Sequence, residues 1–426
     1  MNILILHRIP YPKIEYHRGI DHERHDVTYF GTGAALATLP ADLRCTRVER
    51  PGEDTAFDEA CAWLAAEPRT FDRIISMSEY ELLDAARLRE RHGVEGAGVE
   101  QVTLARDKVL MKRAVRRAGL RVPRFLPLTD LLDGPERADW SGPTVLKPHS
   151  GASSVDVVVF DGPAETYEAI TARRSGVTEL DEACRVGDFE AEEFVTGPIR
   201  HFDGLVERGR VLTLGASEYL GTCLDYARGE PMGSYQIELT DETRDWVARA
   251  LDAVRIHDGC FHLEAIVDGE ELVFLEVGHR VGGADVAATF ELATGIHLPS
   301  WELRILLGEQ VGDLLPAPPD SRDRSWYGWF VLPGHHLSGH VFEGFDGAEA
   351  FRTAPEAVTW HELAVGAQMP DHITYGAHET ALAGIARTAS PDATREWMAR
   401  LFASLRVRTS LPGPTTEPAV AAAARA

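Results

Sequence analysis

Lysine is almost absent from this chain. Its 43 basic residues include only four lysines, Lys13, Lys108, Lys112 and Lys147, so arginine carries nearly all of the positive charge. A lysine that survives on such a background is a candidate for tasks a planar guanidinium does poorly, such as presenting a compact charge to a phosphate. The plainer alternative is chance survival under biased codon use. Cysteine is scarce too: Cys45, Cys61, Cys184, Cys223 and Cys260 are scattered, odd in number and never in a Cys-x-x-Cys pair. That pattern excludes a disulfide framework or a zinc ribbon and reads as small core residues in a reducing compartment. No apolar run approaches the roughly 20 residues that span a bilayer, and the apolar stretch after Met1, Asn2–Leu6, is too short for a signal peptide. A soluble, cytoplasmic protein is expected. Basic stripes are missing as well, and a formal charge of −24 repels nucleic acid and anionic membranes, which excludes both as partners.

What is present is an α/β pattern. A chain of 426 residues accommodates two to four domains. The apolar segments Asn2–Leu6, Asp26–Phe30 and Phe71–Ser76 read as buried strands, and 58–66 and 81–92 have helical spacing. This alternation predicts a small parallel α/β domain over 1–105. A second block, 106–190, opens with a helix near Arg106–Ala118, stopped by Gly119 and Pro123, and continues through the strand Thr144–Lys147, a Gly/Ser loop and the strand Val155–Phe160. A third block, 191–315, mixes strands and helices. The Pro-rich stretch 316–322 reads as a linker into a C-terminal lobe ending near 409, and the Pro- and Ala-rich tail 410–426 as disordered.

The segments Cys260–Gly269 and Glu271–Arg280 read as a β-hairpin in which Glu264 and Glu276 lie twelve residues apart. An odd loop centred on Glu270 sets the two glutamates opposite each other on one face; a two-residue Asp268-Gly269 turn sends them to opposite faces. Opposed carboxylates repel, and a divalent cation between them removes the penalty, with oxygen ligands suited to Mg²⁺ on a substrate phosphate. Period two places Gly278 and Arg280 on the face of Glu276. A Glu276–Arg280 salt bridge on a solvated face is the bland alternative. Upstream, Lys147-Pro-His-Ser-Gly-Ala-Ser-Ser154 puts a lysine at a strand end before small residues whose amides can close over phosphate oxygens. It does not match the Walker pattern.

In order along residues 70–310, these motifs resemble the ATP-grasp superfamily. Arg106–Lys112 followed by Ala118–Pro123 looks like the entry to its central domain, and Thr144–Pro148 with the Gly/Ser loop like its second phosphate lysine and flexible cover. Glu192-Glu-Phe-Val-Thr-Gly-Pro198 is similar to the hinge whose backbone binds adenine. The resemblance implies a fold that is α+β in two nucleotide-clasping subdomains. It implies ATP bound by Lys108, Lys147, Ser150, Gly151, Ala152, Ser153, Ser154, Glu192, Glu193, Phe194 and Val195. It further implies Mg²⁺, as one or two ions with Mn²⁺ as an alternative, on Glu264 and Glu276, with Arg280 catalytic. Lys112 is expected to be an exposed helix residue. Two departures stand out: Gly278 replaces an Asn that supplies a further ligand in many relatives, and Ile199 an acidic ribose ligand, a role for which Asp203 is the alternative.

The implied reaction is carboxylate–amine ligation through an acyl phosphate, with ADP and phosphate released, as in ligases that join L-amino acids. The partners are then ATP, a small carboxylate and a small amine, with a homodimer left open. Two other readings remain: a nucleotide-biosynthesis ligase acting on a carboxylated or formyl substrate, and an ATP-binding regulator without turnover. Tyr11, Tyr16, His17 and Arg18 are candidate substrate-pocket residues, as are Glu218 and Tyr219. Gly282–Val286 is expected to lead into a helix. His17, His22 and His25 fit a solvated segment better than a metal site, and His335, His336 and His340 read as structural.

Overall fold

The computed structural model describes residues 1–151, 154–317 and 324–411. They divide into two compact units, Met1–Tyr219 with Tyr235–Arg324, and Leu220–Ser234 with Ser325 onward. No helix among the described residues is long and apolar enough to cross a membrane.

The first unit begins with a four-stranded parallel sheet, ordered β3-β2-β1-β4, made of β1 (Asn2–Leu6), β2 (Asp26–Gly31), β3 (Thr46–Glu49) and β4 (Arg73–Ser76). Both faces of β1 are covered, which explains why its sequence is continuously apolar rather than alternating. Ile3 and Ile5 pack with Tyr16, Tyr29 and Leu303, while Leu4 and Leu6 pack with Ala60, Ala85 and Leu88. Helices at Ala56–Ala66 and Leu82–His92 flank the strands in sequence.

An antiparallel sheet follows, ordered β5-β8-β6-β7, from β5 (Phe125–Pro127), β6 (Thr144–Pro148), β7 (Val158–Phe160) and β8 (Phe189–Glu193). Its strands alternate in the way a two-sided sheet requires. Leu146, Phe189 and Ala191 turn to a core with Leu128, Leu131, Trp140 and Ile170. Lys147, Glu190 and Glu192 turn the other way. There they meet the helix Lys108–Arg117, which Asp107 caps by accepting the Leu110 N–H at 2.9 Å. The sequence places Lys112 on the exposed side of this helix, yet it is fully buried: its ammonium donates to Glu190 at 2.6 Å and to Glu192. The reason is the two strand carboxylates facing it, which periodicity within the helix cannot reveal.

The third sheet of this unit is antiparallel, with neighbours β13-β12-β9-β10, from β9 (Ile199–Glu207), β10 (Arg210–Leu220), β12 (Gly259–Asp268) and β13 (Glu271–Gly278); β11 (Met232–Ile237) runs across the division of the chain. One face, bearing Phe202, Val206, Phe261, Leu263 and Phe274, packs on Met111 and Val115 and on Val247 and Leu251 of the helix Asp241–Ala253. The other bears Leu205 and Cys260 against Phe290, Leu298 and Ile305, and beside them the polar run His201, Asp203, His262 and Glu264.

In the second unit β14 (Trp326–Leu332) pairs antiparallel with β17 (Leu382–Thr388), which pairs with β16 (Ala357–Glu362), and β15 (Val341–Asp346) pairs with β18 (Arg406–Ser410). His335 and His340 bond to backbone carbonyls at 3.0 and 3.1 Å. Of the cysteines expected in the core only Cys260 is buried, and Cys184 is exposed. Most of the expected linker and the tail from residue 412 lie outside the described residues.

Removing the Lys112 ammonium would strand the buried Glu190 carboxylate and leave Glu192 to Lys147 alone. The substitution Lys112→Met is expected to destabilise the chain by about 3–5 kcal/mol, the scale of breaking a buried ion pair from one side, read as a lower urea midpoint in equilibrium unfolding.

Candidate active site

The hairpin β12–β13 turns through two residues, Gly269 and Glu270, with Asp268 opposite Glu271. Gly269 has φ +64°, the positive φ that a two-residue hairpin needs at its first central position. An even turn alone would leave Glu264 and Glu276 on opposite faces. A bulge intervenes: Phe274 pairs with Ala265 and Glu276 with Glu264, so Leu275 is one extra residue in β13. Beyond it Glu264 stands directly opposite Glu276, and His262 opposite Gly278. The facing expected of an odd loop is reached through an even turn plus a bulge.

Different elements supply the counter-charges. Lys108, at the start of its helix, places Nζ 3.0 Å from Glu276 Oε2 and donates to the Gly151 carbonyl at 3.0 Å. Glu264 accepts from the Tyr219 hydroxyl at 2.7 Å and faces His262 Nε2 at 3.2 Å. Burial would raise the Glu264 carboxyl, but His262 and Tyr219 outweigh it and hold it below its ordinary value. Arg280 folds over Gly278, where a Cβ would make ordinary van der Waals contact with the Arg280 Cγ at 3.4 Å.

Arg280 does not close onto Glu276 as a plain surface salt bridge. It donates to Glu79, which also accepts from Arg106, and to the Val281 carbonyl at 2.8 Å. Glu79 is a site residue that sequence reasoning missed. It lies in the loop after β4, just beyond the C-terminal end of a parallel strand, the position where open α/β sheets present ligands; that was the available signal. Burial pushes its carboxyl up, but Arg280, Arg106 and Lys108 prevail and lower it to about 2.

The strand that carries Lys147 is built on buried charge. Lys147 is 5 % exposed and pairs with Glu192. Burial opposes its charge, and Glu192, Glu190 and Glu276 together outweigh that and raise its pKa. Glu192 is thereby shared between Lys147 and Lys112. Ser150 donates to the Arg106 carbonyl at 3.3 Å, and Ser154 sits at φ +55°. Ala152 and Ser153 lie outside the described residues. Glu193 turns away to pair with Arg124, the Phe194 ring is exposed, and Val195 follows it at partial exposure.

Asp203, the alternative ribose ligand, is buried rather than on the surface. It accepts from His201 Nδ1 at 2.6 Å and His262 Nδ1 at 2.8 Å, and the two imidazoles overcome burial to hold its carboxyl below the usual range. Beside it lies a cavity of about 390 Å³ lined by His201, Asp203, Gly215, Ser217, Thr289 and Phe290 among others. Of the two acceptor candidates, Tyr219 joins the Glu264 network. Glu218 points to the other face and pairs with Arg200 and Tyr235. Tyr16 is fully buried in the core and Arg18 pairs with Glu15 and Glu291. Tyr11 is largely buried and bonds His17 at 2.6 Å. His22 is buried too, bonded to Ile20 and Tyr29, rather than solvated. The segment after Arg280 does lead into a helix, Val286–Thr294.

No family model matches the chain. The L-arginine-specific L-amino acid ligase of Bacillus subtilis is 28 % identical over 244 residues, covering 54 % of this chain and 56 % of that protein. The chain thus spans about half the length of this curated relative. Among solved structures, the L-amino acid ligase from Bacillus licheniformis superposes with a TM-score of 0.68 at 23 % identity, over 96 % of this chain and 98 % of that one. The biotin carboxylase domain of the Hydrogenobacter thermophilus 2-oxoglutarate carboxylase, solved as a dimer with MgADP, ADP and bicarbonate, gives 0.62 at 16 % identity over 96 % and 90 %. The chain thus has the fold of these ligase and carboxylase structures, and its motifs, in order along the sequence, resemble those of the ATP-grasp carboxylate–amine ligases.

Proposed function

We propose that the protein is an ATP-dependent carboxylate–amine ligase that forms an amide or peptide bond between L-amino acids or similar metabolites. The observation that carries this reading is the opposition of Glu264 and Glu276 beside Lys108, with Arg280 held on the same face. The likeness to an amino acid ligase supports the substrate class.

The residues fit a nucleotide and its cation. Two carboxylates opposed on one strand pair form an oxygen donor set, met from outside the hairpin by Lys108 and Tyr219, and MgADP in a protein of the same fold supports magnesium. A divalent cation on Glu264 and Glu276 supplies charge neutralisation at the phosphate oxygens when bound. Lys108 and Lys147 present ammonium charges to the triphosphate from a helix start and a strand end, and the backbone of Glu192–Val195 receives the adenine. The substrate carboxylate attacks the γ-phosphorus, the β–γ bridge bond breaks, and an acyl phosphate and ADP result. Arg280 then holds the acyl-phosphate oxygens while the amine attacks the carbonyl and phosphate leaves. A permanently charged fork suits that role better than an ammonium. Glu79 sets where that fork points. The cavity beside Asp203 offers space for one of the two amino acids.

Incubation with ATP, Mg²⁺ and a panel of amino acids tests the reading. ADP release that requires two amino acids is the expected result; release only with ribonucleotide precursors, or tight ATP binding with no ADP for any acceptor, would overturn it. Arg280→Lys is expected to keep nucleotide affinity and lose at least ~10²-fold in ligation, the scale of removing one transition-state donor; near-wild-type turnover would remove Arg280 from the chemistry. For Lys147→Met, weaker nucleotide binding by equilibrium dialysis is expected, and unchanged affinity would return this lysine to chance survival.

A further inference from the structure

We propose that His262 is a third protein ligand of the cation site, bonding through Nε2 beside Glu264 and Glu276, and that it gives the site a preference for Mn²⁺ over Mg²⁺. This rests on the reading of Glu264 and Glu276 as cation ligands.

Placement is the first argument. The register sets His262 opposite Gly278, the next pair along the same face from Glu264 and Glu276. Gly278 contributes no side chain, so the one donor this pair offers is the imidazole. It comes from the neighbouring strand, where a search along β13 alone does not look.

Orientation is the second. His262 is 8 % exposed, and its Nδ1 is engaged by Asp203 Oδ1 at 2.8 Å. The other oxygen of Asp203 is held by His201 Nδ1 at 2.6 Å. Gly282 closes that side from above: a Cβ there would lie 2.9 Å from both Asp203 Oδ1 and His262 Nδ1. The ring is locked with Nδ1 inward, and Nε2 faces Glu264 Oε1 at 3.2 Å. A carboxylate on the far nitrogen, fixing the tautomer and leaving the near nitrogen beside an acidic ligand, is the arrangement that orients metal-bound histidines. The Tyr219 hydroxyl, 3.4 Å from Nε2, already gives its proton to Glu264 at 2.7 Å.

His201, Asp203 and His262 lie close enough, with ligand atoms within 4.8 Å of one another, to be considered a metal site by themselves. Both Asp203 oxygens are already bonded to imidazole Nδ1 atoms, however. Asp203 therefore acts as the outer partner of His262, and the cation sits on the Glu264 side. Imidazole favours first-row transition cations, whereas Mg²⁺ selects oxygen ligands and water.

The test is pulsed EPR on the full chain with Mn²⁺ and ADP, unlabelled and with ¹⁵N-histidine. A nitrogen modulation that changes isotope pattern with the label is expected, as is its loss in His262→Gln with Mn²⁺ still bound. Asp203→Asn is expected to weaken Mn²⁺ affinity by about tenfold or more, the range found when such outer partners are removed. Bound Mn²⁺ without histidine modulation in the unmutated chain, or modulation that survives in His262→Gln, would overturn the proposal while leaving the ligase reading intact. Failure of any divalent cation to bind with nucleotide would sink both.

Discussion

Two carboxylates held opposite each other on neighbouring strands are the constraint on which the rest of the first unit depends. Directly opposed like charges destabilise a strand pair, and here the bulge at Leu275 forces that opposition instead of relieving it. Each carboxylate is consequently met from another element. Lys108 reaches Glu276 from the start of a helix, and Tyr219 reaches Glu264 from β10. Arg280, the third charged group of this hairpin face, is held by Glu79 from the loop after β4. The parallel N-terminal sheet, the helix Lys108–Arg117 and the β12–β13 hairpin are thus tied together through ionised groups as well as through apolar packing.

The scarcity of lysine follows the same logic. Three of the four lysines sit against buried or half-buried glutamates, and one of those glutamates, Glu192, serves two of them. A compact ammonium fits between two carboxylates two residues apart on one face of a strand, where a planar fork would need a wider gap. Taking the charges of Lys112, Lys147, Glu190 and Glu192 out of water costs several kcal/mol each before pairing offsets it. The arrangement is better understood as positioning than as a source of stability: Lys112 anchors Glu192, and Glu192 fixes Lys147 at the strand end.

Much of the fold was legible because its signals are local. The continuous apolar run of β1, the helix spacing at 58–66 and 81–92 and the hairpin of Cys260–Gly269 with Glu271–Arg280 all follow from period and turn chemistry. The ordered motifs likewise singled out Lys108, Lys147, Glu264 and Glu276, of which Lys108 and Glu276 pair and Glu264 stands opposite Glu276. What escaped was what depends on a neighbour. The bulge at Leu275 has no composition signal, being one leucine among several. Lys112 looks exposed on its own helix and is buried because β8 brings Glu190 and Glu192 over it. Glu79 is separated from Arg280 by 201 positions, so no spacing argument connects them. The burial of Asp203 between two imidazoles escaped for a similar reason: its partners lie on its own strand and on β12, and only the sheet brings them together.

Gly282 shows how a glycine can be construction in three dimensions. A Cβ there would lie 2.9 Å from both Asp203 Oδ1 and His262 Nδ1 and would push into that pair. At position 278 a Cβ would make only ordinary contact with Arg280. Gly282 removes bulk so that polar groups from two strands can occupy defined positions on one face. The face therefore carries its functional groups at the ends of long contacts between elements: Arg280 is aimed by Glu79 and His262 by Asp203. A site aimed in this way is sensitive to the placement of the N-terminal sheet, because any shift of the loop that carries Glu79 moves the Arg280 guanidinium.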